Sequence, residues 1–446
     1  MSERRTVWTR ALSIADRTPE SRNRLIDFLR AFSILVVILG HWLAAIPYEV
    51  DGELVVSHAL ELNTGLHYLT WALQIMPIFF IVGGYSNARS LSAAQRDGTA
   101  RRTWLAGRYV RLMTPIIPFL IFWSLMVPIL GAFVDPQLLK LGSQVAAVPL
   151  WFLAVYLLAV ALAPWTFRAW QRWRWASLWA PALVAVLFDV LRLNADWFAG
   201  ATLPAWGNYA FVWLTIHQIG YVWADRGSEL PRNQGWLVLA GGAVTLVGLT
   251  VVGPYPVALI GVPGESFSNT TPPTIVLFAQ ALVQVGIISV LAEPVKRWLA
   301  GRKAWAAVVL VSGMIMSLYV WHLTAMVLTI GLATLAGNVG FAVEPMTALW
   351  WLSRPVWFAV LSVPLFGFVA IFGRYEQRAQ DGDLRPAPWA LGLGIVLSAA
   401  ALASSAAFGV ARVDDFPLRW WVPLLLIIGT FLTGMTTLGP SRRRRT

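Results

Sequence analysis

The sequence predicts an all-α integral membrane protein, a polytopic bundle of about twelve transmembrane helices. Three observations carry this. Hydrophobic residues make up 58% of the 446 and charged residues only 13%, about half the charged share of a soluble domain. Apolar runs near twenty residues recur along the chain, the length that crosses a bilayer as helix. None of the runs alternates apolar and polar positions, as the strands of a membrane barrel do.

Residues 1–26 are polar and Arg-rich, with Pro19 among them, and read as a cytoplasmic tail, partly helical. No small-residue cleavage site follows the first apolar run closely, so that run is expected to stay as an anchor. Twelve apolar segments follow, at 28–47, 68–88, 112–134, 147–167, 176–194, 205–224, 234–253, 273–293, 304–333, 349–373, 387–408 and 419–438. The ninth has room for a tilted helix and an interfacial turn. Between the seventh and eighth, Pro254 to Pro273 is rich in Gly, Pro, Ser and Thr and has no basic residue. The expected organisation is a core at 27–373, two further helices within 374–438 and a basic cytoplasmic tail at 439–446.

Charge orients the bundle. With the N-terminus in the cytoplasm and the segments alternating, 29 of the 34 Lys and Arg face the cytoplasm. Only Lys140, Arg192, Arg354, Arg412 and Arg419 fall outside. Cytoplasmic loops collect such residues, so both termini are expected inside a cell membrane, of bacterial type. The +12 net charge has the same explanation, and no nucleic-acid partner is expected. The chain has no cysteine, which removes disulfides and thiol catalysis. It has no Walker A, no His-Glu-x-x-His and no Cys/His set, so neither ATP hydrolysis nor a metal is expected.

Ionisable groups inside a membrane are costly and point to function. The first helix holds Asp27, Arg30 and His41 in RLIDFLRAFSILVVILGHW. Arg30 and His41 are eleven residues apart, almost three whole turns, so they share a face about 16 Å apart along the axis. As an isolated pair, Arg30 could equally snorkel to headgroups and His41 face interfacial water. Asp27 is too far along the helix to orient His41. It suits an ion pair with Arg30, three residues on, or with Arg108 or Arg111. Asp189 and His322, both expected in the outer half of the membrane, are the candidate partners of His41. His217 reads as structural and His58 as solvated in the first outer loop.

Other stretches share a pattern with a known family. DFLRAFSILVVILGH resembles the first-helix pattern of acyltransferase family 3, an Asp, a Leu-Arg pair, ten residues and a His. MPIFFIVGGYSNARSL resembles the end of that family's second helix. GRYVRLMTPIIPFL resembles its Arg-x-x-Arg-Leu approach to the third, on Arg108 and Arg111. WFLAVYLLAVALAPW resembles a middle helix, and SLYVWHLTAM a late segment with Tyr319 and His322. The likeness runs over about residues 22–373. The chain departs from the family's ten helices by two more, from about 387 to 438.

The resemblance implies a membrane acyltransferase that takes an acyl group from cytoplasmic acyl-CoA to a hydroxyl of a glycan, glycolipid or secondary metabolite. It needs no cofactor beyond that donor. His41 is then the catalytic base, and Arg30, Arg108 and Arg111 bind the donor's phosphates. Asp27, Asp189, Tyr319 and His322 support them. Transfer is either direct or through an acyl-His species. The competing classes are a secondary transporter, which should carry ionisable groups at the midplane of broken helices, and a polysaccharide-export component without chemistry. The transporter does not match the concentration of charge at the cytoplasmic helix ends, and the export component predicts that His41 is dispensable.

Overall fold

The computed structural model describes residues 7–194, 202–376, 384–413 and 417–435. The expected basic tail at 439–446 lies outside them, as do the first six residues. The helices of ten residues or more are α1 (Val7–Asp16), α2 (Arg24–Ala44), α3 (Met76–Arg96), α4 (Arg101–Met113), α5 (Ile116–Leu130), α6 (Pro136–Ala147), α7 (Leu150–Trp173) and α8 (Trp175–Leu193). They continue with α9 (Asn208–Arg226), α10 (Arg232–Val247), α11 (Val276–Leu299), α12 (Arg302–Ser312), α13 (Ile315–Leu335), α14 (Ala348–Glu376), α15 (Pro388–Phe408) and α16 (Trp421–Leu432).

Among the described residues, nine helical stretches are long and apolar enough to cross a membrane. They are ten if α4 and α5, bent by 43° at their junction, form one span. The fold is thus all-α and polytopic, as expected. Two of the twelve expected segments are helices that fall short of a span on these criteria. α16 has only 12 residues. α9 has 19 but buries Asn208, Thr215, His217 and Gln218, so its apolar average is low. The long ninth segment divides into α12 and α13.

The chain forms two compact units. The first holds residues 1–40, 58–90 and 163–315, and the second holds 41–57, 91–162 and 316–446. In the first, α3 and α9 meet backbone to backbone. A Cβ on Gly84 would lie 1.9 Å from the His217 carbonyl oxygen, and one on Gly220 2.1 Å from that of Ile81. Only glycine permits this approach. His217 is fully buried and bonded to Asn87 at 3.1 Å, a structural histidine. The segment after α10 is tied down by Asp189 of α8. Its carboxylate accepts from Asn208 Nδ2 (2.8 Å), Tyr255 Oη (3.1 Å) and the Ile275 amide (2.8 Å). Arg192, one turn on, lies over the Phe267 ring and donates to the Ser268 and Pro272 carbonyls. Burial, and after it the Asp189 charge, pushes the Tyr255 phenol above its ordinary range, so it stays a donor.

Two strands, Ala45–Val50 and Glu53–His58, form a hairpin across the end of the first expected segment and the outer loop after it. Asp51 and Gly52 both have positive φ (51° and 86°), the two-residue turn that suits strand twist. His58 ends the hairpin and is not simply solvated. Its Nδ1 accepts from the Leu60 amide at 3.2 Å and caps the short helix Ala59–Leu62, and burial holds its imidazole below the usual range. In the second unit, Glu49 N donates to Phe341 O and Asn338 Nδ2 to Gly52 O, both at 2.9 Å, so the hairpin is tied to the segment before α14.

Candidate active site

His41 occupies the last turn of α2, and the chain leaves the helix toward Pro47, which has no amide hydrogen to continue a ladder. His322 lies on α13. Both belong to the second unit. His41 Nδ1 and His322 Nε2 are 2.8 Å apart, and the two ring planes differ by 3°. His322 Nδ1 lies 2.6 Å from the Tyr319 carbonyl oxygen.

For two neutral imidazoles these contacts fix the tautomers. A carbonyl only accepts, so the hydrogen on His322 is at Nδ1. Its Nε2 then carries a lone pair and accepts from His41 Nδ1–H. His41 is left with its lone pair on Nε2.

The second unit holds this pair on several sides. Tyr319 Oη donates to Pro149 O at 2.9 Å, and Trp123 Nε1 to Thr324 Oγ1 at 3.1 Å. Trp42, next to His41, donates its indole N–H to the His322 carbonyl at 3.1 Å, and Trp357 donates to the Trp42 carbonyl at 3.3 Å. The start of α13 is capped by Glu376 of α14, which accepts from the Met316 and Ser317 amides and the Ser317 hydroxyl at 2.9, 3.0 and 2.8 Å. A carboxylate there complements the helix dipole. Trp321 stacks on Phe368 and Phe372 at 4.7 and 4.3 Å. Sequence reading passed over Trp42, Trp357 and Glu376. An acidic residue at the end of an otherwise apolar helix was the one available sign.

The remaining candidates divide between the units. In the first, Arg30 donates to Ser86 Oγ at 3.0 Å and lies 3.8 Å from Asp27, which also takes Arg22 Nε at 2.6 Å. Asp27 therefore pairs within its own helix end. Asp189, the other expected partner of His41, has its oxygens engaged in the anchor described above, while His322 is the residue bonded to His41. In the second unit, Arg108 and Arg111 lie one turn apart on α4. Arg108 is half-buried with its guanidinium 5.5 Å from the Trp104 ring centre, and Arg111 is exposed.

The acyltransferase-domain family, acyltransferase family 3, matches residues 23–373. The chain belongs to acyltransferase family 3. For this member of the family, the match contains both histidines and the residues named around them except Glu376, ending within α14 and short of α15 and α16. It makes the protein a membrane acyltransferase, in agreement with its apolar spans. No curated protein and no solved structure matched the chain.

Proposed function

We propose that this acyltransferase moves an acyl group from acyl-CoA to a hydroxyl of a glycan, glycolipid or small molecule, with His41 as general base. The observation that carries the reading is the ordered pair, in which Tyr319 O, His322 and His41 Nδ1 leave the His41 Nε2 lone pair as the basic atom. In the reaction, the acceptor oxygen attacks the thioester carbon as its proton passes to His41 Nε2. The tetrahedral intermediate then expels the CoA thiolate, which takes the proton from His41. The base is restored and no covalent enzyme intermediate forms. His322 is neutral where soluble hydrolases place a carboxylate. A neutral orienting group suits a low-dielectric surrounding, where an isolated charge is costly.

Arg30, Arg108 and Arg111 are assigned to the phosphates of the donor. With both termini in the cytoplasm, all three fall at cytoplasmic helix ends, and the planar guanidinium fork matches phosphate oxygens. The test uses purified protein with labelled acyl-CoA and an acceptor pool identified by mass spectrometry of glycans and lipids from a deletion strain. Replacing Arg108 and Arg111 with Ala should raise the KM for acyl-CoA more than that for acceptor, and Lys at both sites should restore part of it. Unchanged donor kinetics in a well-folded double variant contradict the assignment.

A further inference from the structure

We propose that α1 is an interfacial helix that lies on the anionic headgroups at the membrane surface. Apart from Trp8, its residues sort into three stripes at helical spacing. Ala11, Leu12 and Ala15 pack against Leu299, Trp305, Ala306 and Val308. Thr9, Ser13 and Asp16 are polar. Val7, Arg10 and Ile14 form the third stripe, and Arg17 follows in the turn beyond. Val7 is 64% and Ile14 56% exposed, an unusual amount for branched apolar side chains unless something apolar covers them. Among the described residues, neither Arg10 nor Arg17 pairs with a carboxylate.

The depth of α1 follows from what it packs on. Leu299 is the last residue of the α11 span and Trp305 lies on α12, just beyond it. Trp298, beside Leu299, is 53% exposed, as tryptophans of the interfacial belt are. The helix is also locked in rotation. Arg302 holds Asp16 through two bonds of 2.7 Å, and Trp305 Nε1 donates to Thr18 Oγ1 at 2.8 Å. The polar stripe and the Val7-Arg10-Ile14 stripe therefore keep fixed and different directions. Apolar side chains interleaved with arginines are the pattern that sinks into the headgroup boundary and draws anionic lipid.

The absence of cysteine makes single nitroxide labels unambiguous. Ile14→Cys and Thr9→Cys would be labelled in the full-length protein in nanodiscs of phosphatidylcholine alone or with phosphatidylglycerol. Collision with oxygen and with a water-soluble nickel complex would be read by electron paramagnetic resonance. The label at 14 should collide with oxygen and lose contact with nickel, and the label at 9 should do the reverse. Phosphatidylglycerol should deepen position 14, and Arg10→Gln with Arg17→Gln should abolish that shift. Nickel access at 14 equal to that at 9 overturns the interfacial placement. A depth at 14 that ignores both phosphatidylglycerol and the arginines overturns the anionic preference.

Discussion

In the proposed reaction the chemistry turns on which nitrogen of His41 carries its hydrogen, and one backbone carbonyl, that of Tyr319, orders it through His322. His322→Ala should therefore lower kcat with little change in either KM, on the order of 10- to 100-fold, the scale at which orienting partners of histidine act. Steady-state kinetics on monodisperse protein reads the split, and a change in KM alone speaks against an orienting role. Trp42→Phe keeps most of the volume but removes the indole donor to the His322 carbonyl. It should cost about 1 kcal/mol of stability, seen as a lower thermal midpoint, with a smaller loss of kcat than His322→Ala. His41 was legible because its spacing from Arg30 and its place in a membrane helix are sequence facts. Its partner was legible only as a pair of alternatives, since the expected topology puts both Asp189 and His322 in the outer half of the membrane. The side chains around each decide between them: Asn208, Tyr255 and the Ile275 amide engage Asp189, whereas His322 meets His41 directly.

Helices were legible as apolar runs, and their contacts were not. Gly83-Gly84 reads equally as a close approach or a break, and the partner backbone at His217 selects close approach for Gly84. Gly84→Val should cost about 1–3 kcal/mol through overpacking, visible as lower monodisperse yield. The hairpin at 45–58 carries an Asp-Gly turn that was readable, but six-residue strands beside long apolar runs are easily absorbed into loops. Asp189 belongs at this scale too. Asp189→Ala strips the acceptor from Tyr255, Asn208 and the Ile275 amide together. Hydrogen exchange in residues 254–273 should rise while turnover per folded molecule holds. A loss of turnover with the segment still protected would place Asp189 in the chemistry instead.

Across the whole molecule, composition alone announced a polytopic membrane protein, because spans near twenty apolar residues need no tertiary knowledge. α9 was read as a span too, at 205–224, although it buries Asn208, His217 and Gln218, whose partners Asp189, Asn87 and Ser177 sequence does not reveal. The basic-residue asymmetry makes a claim about the two faces of the bilayer. Accessibility tags in the 254–273 loop and at the C-terminus should report opposite sides, the loop outside. Both on one side would remove the cytoplasmic placement of Arg30, Arg108 and Arg111 and with it their assignment to the donor. The most direct measurement concerns His41→Asn, assayed for acyl transfer per monodisperse molecule. Asn keeps polarity and a donor for His322 but takes no proton. Turnover should fall by about 10²–10⁴-fold with the protein still folded. Near-normal turnover in that variant would contradict the role of His41 as the base.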